Sequence, residues 1–448
     1  MLRRAARSFV SSPPQILMLG FFVIILLGSC LLMLPFAHVA EKPPHVIDAL
    51  FTAASATSVT GLAVVDTGTY WTTAGQVIIL VMIQIGGLGF MTVATLFAIF
   101  LKRKISLREK LVLQQALNQT SMEGIVRLVR RVLLYAFVIE GVGAALFSIR
   151  FMFDMPLGTA IYRGVFHSIS LFNNAGFDIM GNYRSLVDYV GDPVINIVAM
   201  LLIILGGLGF VVLADLVDWR KPHWKLSLHS KVVLTTTGLL IVGGAVFILL
   251  LEYTNEATLG SLNFGEKLLA SFMQSVSPRT AGVNSIDIGS LRQATQLIII
   301  VLMFIGTSPG STGGGIKTTT FAVLIGSFIT MLRGKEDVIF FRRRLADERV
   351  YKALTITLLS FTLVTLATMI LSTTEDHHFL MLLFEVTSAF GTVGLTTGLT
   401  VQLTFAGKII IIFLMFIGRV GVLTLTFTVG SKQEKVLHRE AEGKIILG

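Results

Sequence analysis

The chain has 448 residues, of which 54% are apolar and only 14% are charged, and its formal net charge is +10. Soluble proteins carry about 25% charged residues, so this composition excludes a soluble enzyme or a soluble nucleic-acid-binding protein. It indicates an integral protein of the lipid bilayer. The single cysteine, Cys30, lies in an apolar run, so a disulfide within the chain is excluded.

Long and short apolar segments alternate along the chain. The short segments, at 46–56, 161–172, 266–276 and 380–390, cannot cross a hydrocarbon core of about 30 Å. The long segments are the predicted membrane spans, and in chain order they are Ile16–Leu34, Gln76–Leu101, Leu128–Ile149, Val194–Val217, Val232–Leu251, the interrupted Gln296–Leu332, Ala353–Leu371 and Ile409–Val429.

Each short segment runs into a small or polar stretch that closes on a glycine. The closing glycines, Gly61, Gly176, Gly282 and Gly394, are separated by 115, 106 and 112 residues. Such self-similarity indicates an internal repeat. Glycine tolerates positive φ and close backbone approach, which a loop lined by carbonyl oxygens needs. Four tight turns between helices are the alternative, but the short segment before every motif favours a potassium-type filter.

The repeat pattern predicts an all-α membrane protein with eight transmembrane helices and four re-entrant pore helices around one central pore. The four repeats are assigned to residues 1–110, 111–225, 226–345 and 346–448. The predicted filter comprises Thr57, Ser58, Val59, Thr60, Gly61, Asn173, Asn174, Ala175, Gly176, Arg279, Thr280, Ala281, Gly282, Gly391, Thr392, Val393 and Gly394. Potassium is expected at the backbone carbonyls of Thr60, Gly61, Ala175, Gly176, Ala281, Gly282, Val393 and Gly394.

The second span of every repeat contains glycines at a similar depth. The pentapeptide Gly-Gly-Leu-Gly-Phe occurs at 86–90 and again at 206–210, and Gly306 and Gly418 lie at corresponding positions. We expect the helices to bend at these glycines. In repeat three the break is long, Gly306–Thr320, and ten residues of helix before it reach only about 15 Å. The break must therefore lie at membrane depth, where irregular backbone has to be shielded by protein or line a wet cavity.

Two features of this break and its neighbourhood need an explanation. The stretch Gly310–Lys317 superficially resembles a phosphate-binding loop, but its lysine does not directly follow the second glycine as that motif requires. Arg419 lies about ten residues inside a span, where a charge costs about 2.5–3.5 kcal/mol. We predict a role in the pore for Arg419, with a snorkelling side chain as the alternative.

Lysine and arginine are concentrated on one side of the predicted membrane. The N-terminal tail and the segments 102–131, 219–231, 333–352 and 431–448 hold 26 of the 36 basic residues. The basic side of a membrane protein is cytoplasmic, so both termini are predicted to be cytoplasmic and the four glycine motifs to face outward.

Three strings identify a family resemblance: 48–57 (DALFTAASAT), 172–177 (FNNAGF) and 278–282 (PRTAG). With them the sequence resembles the Trk/Ktr/HKT superfamily of potassium transporters, and within it the membrane subunit of bacterial Ktr systems. The resemblance implies a filter of four glycines, and Gly61 implies potassium because sodium-selective plant relatives have serine there.

The resemblance also implies a gate, partners and a location. The gate would be an intramembrane loop with Gly306, Gly310, Ser311, Thr312, Gly313, Gly314, Gly315 and Lys317, together with Arg419. The partners would be a second copy in a homodimer and a cytosolic ring of regulatory nucleotide-binding (RCK-type) subunits. The location would be the bacterial cytoplasmic (inner) membrane. Potassium would be the substrate, and sodium is a candidate activator or symported co-ion. Neither a covalently bound cofactor nor a nucleic-acid partner is expected.

Two other function classes predict different sequence features. A secondary transporter of a small solute would have inverted repeats and a midplane pocket, whereas these four repeats share one topology. A membrane enzyme would need a catalytic constellation, and the sequence shows no paired carboxylates, no His/Cys cluster and no nucleophile with a base. Glu140, His167, Glu385 and Asp215 are expected to pair locally or line cavities. His167 and Glu385 lie in pore-helix segments, so packing behind the filter is expected for them, and Asp215 lies near the cytoplasmic end.

Overall fold

The computed structural model describes residues 13–39, 44–101, 105–116, 124–219 and 225–421. The predicted basic N-terminal tail, the end of the last span and the charged C-terminal tail lie outside the described residues. The helices are, in chain order, α1 (Pro13–Leu32), α2 (Val46–Ser58), α3 (Thr67–Tyr70), α4 (Thr73–Leu88), α5 (Phe90–Phe100), α6 (Leu107–Ala116), α7 (Ile125–Phe151), α8 (Leu157–Phe172), α9 (Pro193–Gly207), α10 (Phe210–Asp218), α11 (Leu228–Glu252), α12 (Phe264–Val276), α13 (Gln293–Phe304), α14 (Thr318–Leu332), α15 (Asp347–Thr374), α16 (Phe379–Gly391) and α17 (Phe405–Val420).

Helices dominate the described part of the chain, as predicted. The strands described there, β1 (Ile339–Phe340) and β2 (Arg343–Arg344), form a small antiparallel hairpin in which Ile339 pairs with Arg344. Short single turns occur at Val187–Tyr189, Glu256–Gly260 and Thr400–Gln402. The all-α class is confirmed.

Each repeat begins with one long outer helix. These are α1, α7, α11 and α15, with 20, 27, 25 and 28 residues, and all four are long and apolar enough to cross a membrane. At 1.5 Å per residue even the shortest reaches about 30 Å, the thickness of a hydrocarbon core. Together with the apolar inner helices they make this a multi-pass membrane protein.

A short pore helix follows each outer helix. The pore helices are α2, α8, α12 and α16, with 13, 16, 13 and 13 residues, too short to span. Each ends where its glycine motif begins, so the chain enters the membrane and turns back. The short segments in the sequence predicted these four helices with small differences at their ends.

The inner helices of repeats one and two are bent within the predicted interruptions 86–90 and 206–210. Helices α4 and α5 meet at 97°, and α9 and α10 at 102°. The bends occur at Gly89 and Gly209, and Gly421 directly follows the end of α17; the φ angles of these glycines are 81°, 91° and 93°. Residues with a side chain rarely adopt such angles, so the bends lie three residues beyond Gly86 and Gly206, the glycines predicted as hinges.

The glycines predicted as hinges remain helical and allow close packing instead. A β-carbon added to Gly86, Gly206 or Gly418 would lie 2.1, 1.9 or 2.0 Å from the carbonyl oxygen of Thr57, Phe172 or Phe390, respectively. Each inner helix therefore presses against the end of the pore helix in its own repeat. Only hydrogen at these positions allows that contact.

The repeats close into a ring in chain order. The inner helix of each repeat also packs on the pore helix of the next, so that α4 contacts α8, α9 contacts α12, α13 contacts α16 and α17 contacts α2. The last contact joins repeat four to repeat one. The large apolar cluster there includes Leu62, Ile79, Phe390 and Ile411, all buried.

Candidate functional site

The four glycine motifs meet at the centre of the helix ring. A β-carbon added to Gly61 would lie 2.4 Å from the carbonyl oxygen of Ala175. An added β-carbon would lie 2.6 Å from Ala281 O at Gly176, 2.3 Å from Val393 O at Gly282 and 2.3 Å from Thr60 O at Gly394. Each glycine thus faces the carbonyl of the next repeat, and the fourth faces the first. We call these glycines and the carbonyls before them the glycine ring.

The backbone of the glycine ring alternates between negative and positive φ. The glycines have φ of 89°, 69°, 66° and 94°. Two residues before each glycine, Val59, Asn174, Thr280 and Thr392 have φ of 60°, 57°, 65° and 52°. Left-handed backbone is rare for β-branched residues such as Val59, Thr280 and Thr392 and costs about 1–3 kcal/mol, whereas asparagine adopts it more readily. Its recurrence at one position in four repeats indicates a functional requirement, because alternating handedness turns successive carbonyls to the same side.

Hydrogen bonds to the end of each pore helix hold this strained backbone. The backbone amides of Thr60, Ala175 and Val393 each donate to a serine carbonyl, those of Ser55, Ser170 and Ser388, at 2.8 Å. The serine hydroxyls add further bonds: Ser55 accepts from the Gly61 amide at 3.0 Å, and Ser388 from the Gly394 amide at 3.1 Å. Repeat three differs, because the Ala281 amide bonds to Ser277 O at 3.0 Å.

The pore helices also shape the electrostatics of the ring. All four end at the ring with their carboxyl termini, where a helix carries about half an elementary negative charge. Four such ends and a layer of carbonyl oxygens favour a cation on the central axis.

One position in the motif differs in every repeat. Three residues before the ring glycine stand Ser58, Asn173, Arg279 and Gly391. The Ser58 hydroxyl donates to Ala54 O at 2.6 Å, whereas Arg279, only 4% exposed, donates to the Thr237 hydroxyl at 3.3 Å. Asn173 bonds to Gln84 and Glu140. The ring itself is regular, but its attachment to the surrounding helices is not.

The break between α13 and α14, residues 305–317, lies directly against one face of the ring; we call it the repeat-three loop. A β-carbon on Gly313 would lie 1.9 Å from the Thr280 hydroxyl, and one on Gly314 would lie 2.4 Å from the Thr392 hydroxyl. The Thr312 hydroxyl lies 3.3 Å from both Phe172 O and the Asn174 side-chain oxygen. The loop therefore touches the inner ends of three of the four motifs.

Backbone contacts with repeat two fix the other edge of the loop. The Ser308 amide donates to Gly207 O at 3.0 Å, and the Phe210 amide donates to Gly310 O at 3.0 Å. Gly310 and Gly315 have φ of 67° and 69°. The predicted long break in repeat three is present, and it is buried among protein as membrane depth requires.

Two basic side chains hold the loop. Lys317 donates its ammonium to the carbonyls of Gly313 at 2.8 Å and Gly314 at 3.2 Å. Arg419, at the end of α17, donates to Thr312 O in the loop and to Gly86 O and Gly87 O at the end of α4. The Arg419 guanidinium thus links repeats four, three and one. Its side chain does not snorkel to the membrane surface.

A cavity of about 260 Å³ borders the loop. Gly310, Ser311, Lys317 and Arg419 line it together with Gly89 and Gly421. None of the four ring glycines lines this cavity. The loop therefore separates the cavity from the glycine ring.

An acidic residue lies beyond the opposite face of the ring, outside the membrane-spanning helices. Asp178 follows Gly176 by two residues and accepts a hydrogen bond from the Met180 amide at 3.0 Å. Burial raises the pKa of the Asp178 carboxyl to about 6, and the nearby Asp66 charge contributes in the same direction. The Met180 hydrogen bond and Arg163 oppose that rise.

The chain matches the sequence profile described as TrkH, cation transport protein, over residues 8–438. This chain belongs to the TrkH cation transport protein family. It is 47% identical over 437 residues to the Ktr system potassium uptake protein B of Bacillus subtilis, covering 98% of this chain and 97% of that protein. It is 42% identical over 443 residues to the potassium/sodium uptake protein NtpJ of Enterococcus hirae, covering 98% and 97%.

A solved structure has the same fold. The crystal structure of the potassium transporter TrkH from Vibrio parahaemolyticus superposes with a TM-score of 0.74, covering 94% of this chain and 86% of that chain at 17% identity. The TrkH-family fold, with four helix–pore-loop–helix repeats around one pore, is thereby confirmed.

The structure brings the predicted site residues into two layers. The four glycine motifs form the ring, and the predicted residues from Gly306 to Lys317, with Arg419, form the layer beneath it. Glu385 and His167 lie fully buried in pore helices; Glu385 accepts hydrogen bonds from Thr396 and Thr400, and His167 bonds to Arg163 O at 2.7 Å. Asp215 accepts from the Ser230 hydroxyl at 2.6 Å.

The sequence does not predict Gln84 as the partner of Asn173 and Glu140. Gln84 lies two residues before the Gly86–Phe90 pentapeptide. Its contact with Asn173 and Glu140 joins residues 89 and 56 positions away. No local pattern in the sequence shows such a contact.

Proposed function

We propose that this chain takes up potassium through the glycine ring, across the cytoplasmic membrane of a bacterium. The closed cycle of contacts from Gly61 through Gly176, Gly282 and Gly394 back to Thr60 carries this proposal. Carbonyl oxygens around an axis can replace the hydration shell of potassium. The names of the two relatives, one for potassium uptake and one for potassium and sodium uptake, support the same substrate.

Selection of potassium over other cations would depend on the eight backbone carbonyls predicted from the sequence. Thr60, Ala175, Ala281 and Val393 supply one layer and the four ring glycines the next. The membrane potential would drive entry, at about 2.3 kcal/mol per charge for every 100 mV. The pore-helix ends would stabilise the dehydrated ion without a charged side chain on the axis.

The repeat-three loop would be the gate. It lies against the inner ends of three motifs, and its glycines allow movement at low steric cost. Lys317 and Arg419 would hold it closed by donating to its carbonyls. Gly306 would let the loop fold back on itself, since a β-carbon there would lie 2.2 Å from Gly314 O.

A cytosolic partner would control this gate. We infer a homodimer regulated by a ring of nucleotide-binding (RCK-type) subunits, with sodium as activator or co-ion and both termini cytoplasmic. The exposed arginines of the β1–β2 hairpin, Arg343 and Arg344, lie in the basic segment 333–352. Arg344 pairs with Asp337 at 2.7 Å, and Arg343 offers positive charge to such a partner. The boundaries assigned to the four repeats stay a prediction.

The function is tested with the purified chain in liposomes. Potassium uptake under an inside-negative potential should exceed sodium uptake, and Gly61→Ser should lower that ratio because its β-carbon would lie 2.4 Å from Ala175 O. An unchanged ratio in Gly61→Ser would contradict the filter assignment. Adding sodium to the potassium assay shows whether sodium activates.

The regulatory proposal needs a separate measurement. Proteins that co-purify with the chain from its native host should include a soluble nucleotide-binding subunit, and adding it should change potassium flux in liposomes. Full uptake by the chain alone that already responds to nucleotides would contradict the proposed partner.

A further inference from the structure

One buried carboxylate near the filter has no part in the mechanism described so far. Glu140, in the middle of α7, is only 4% exposed. Its two carboxylate oxygens accept hydrogen bonds from the Gln84 side-chain amide at 3.0 and 3.1 Å. The Asn173 side-chain amide donates to one of the same oxygens at 3.0 Å and to the Gln84 side-chain oxygen at 2.8 Å.

These three side chains come from three different elements. Gln84 belongs to the inner helix of repeat one, Glu140 to the outer helix of repeat two, and Asn173 to the filter loop of repeat two. Asn173 precedes Asn174. The side-chain amide of Asn174 donates to Arg279 O at 3.0 Å and lies 3.2 Å from the Thr280 hydroxyl in the next filter loop. A shift of Asn173 would therefore reach two filter loops.

Repeat three shows that a repeat can be built without this carboxylate. Its pore helix is linked to its outer helix by a bond from the Ser275 hydroxyl to Ile241 O at 2.7 Å. The Ser168 hydroxyl makes the same link to Glu140 O at 2.7 Å. Ile241 is thus the counterpart of Glu140, and packing of the outer helix does not explain an acid at this point.

We propose that Glu140 is a positioning residue of the filter. Through Gln84 and Asn173 it fixes the repeat-two loop and so sets the discrimination between potassium and sodium. Carboxylate–amide bonds are stronger than neutral ones, and a buried acceptor that loses its donors is costly. The inference rests on the filter proposed above.

Exchanging the acid and the amide tests the proposal. Glu140→Gln removes the carboxylate, so the three amides compete for too few acceptors, and the potassium-to-sodium uptake ratio should fall by about tenfold with a raised KM for potassium. The double variant Glu140→Gln with Gln84→Glu can re-form a hydrogen bond between each pair of the three side chains, with the carboxylate on the other helix. It should restore the ratio to within about twofold of the original.

A matched control separates positioning from packing. Ser168→Ala removes the bond to the Glu140 backbone and leaves the carboxylate cluster intact, so its ratio should stay near that of the original chain. Uptake is measured per folded molecule in liposomes. Should Glu140→Gln not fold, Glu140→Asp, one methylene shorter, should lower the ratio in the same direction.

Three results would overturn the proposal. The first is an unchanged potassium-to-sodium uptake ratio in Glu140→Gln, or in Glu140→Asp if Glu140→Gln does not fold. The second is no recovery of the ratio in the double variant, and the third is an equal fall of the ratio in Ser168→Ala. A parallel Gly176→Ser variant distinguishes the two levels of inference. If Gly176→Ser lowers the ratio and Glu140→Gln does not, only the positioning role fails. If neither changes it, the filter assignment itself is wrong.

Discussion

The glycine ring and the layer beneath it are built on opposite principles. In the ring, all four repeats contribute the same backbone conformation and the same contact with the next repeat. In the layer beneath, repeat three supplies a loop, repeat four supplies Arg419, and repeats one and two supply bent helices. In the proposed filter, a spherical ion on the axis needs equal ligands around it, whereas in the proposed gate one obstacle is enough to close the pore. Duplicated units can therefore diverge below the ring but not within it.

The largest expected effect comes from breaking the ring. Gly282→Ala would place a β-carbon 2.3 Å from Val393 O at a φ of 66°, and we expect potassium uptake to fall about 100-fold or more. Gly243→Ala is the control, since no atom lies within 4 Å of a β-carbon there. Tracer uptake per folded molecule checks both, and equal uptake in the two variants would contradict the ring.

Deleting 310–315 tests the layer beneath and leaves the ring motifs unchanged. The deletion removes the loop segment that contacts Thr280 and Thr392, so uptake without any partner should rise by about tenfold. Flux in liposomes is measured with and without the partner. Folded, selective protein with no rise in partner-free flux would show that the loop is only a helix break needed for packing.

Arg419→Gln should have a smaller effect of the same sign. The variant loses the charged bonds to the loop and to α4, which weakens the closed state, and we expect partner-free flux to rise by about threefold. The potassium-to-sodium ratio should stay constant because the ring is untouched. A changed ratio at constant flux would instead assign Arg419 to selectivity.

The smallest effect concerns Asp178 beyond the outer face of the ring. Because its pKa is raised to about 6, the carboxyl is charged at pH 7.5 and becomes neutral as the pH falls below 6. A negative charge near a pore entrance concentrates cations, so Asp178→Asn should reduce uptake at pH 7.5 by about twofold. Uptake measured from pH 7.5 to 5 should fall in the original chain and stay flatter in the variant.

The sequence by itself determined the repeat, the four short pore helices, the four ring glycines and the long break in repeat three. These follow from local rules, since apolar length decides what can cross a membrane and glycine marks backbone that a side chain would block. The same rules predicted interruptions at 86–90 and 206–210, where the helices do bend, but named Gly86 and Gly206 as the hinge glycines, whereas the bends lie at Gly89 and Gly209. Glycine serves hinges and close packing alike, and only the neighbouring carbonyls of Thr57, Phe172 and Phe390 show which.

Only the tertiary structure decided how the parts meet. Ring closure depends on Gly394 facing Thr60 O, a contact between residues more than three hundred positions apart. Arg419 was recognised as costly in a membrane, but its carbonyl partners in the loop and in α4 come from distant segments. The same holds for Glu140 with Gln84 and Asn173. A buried polar group must find partners, and the chain sequence shows the need without showing where the packed helices satisfy it.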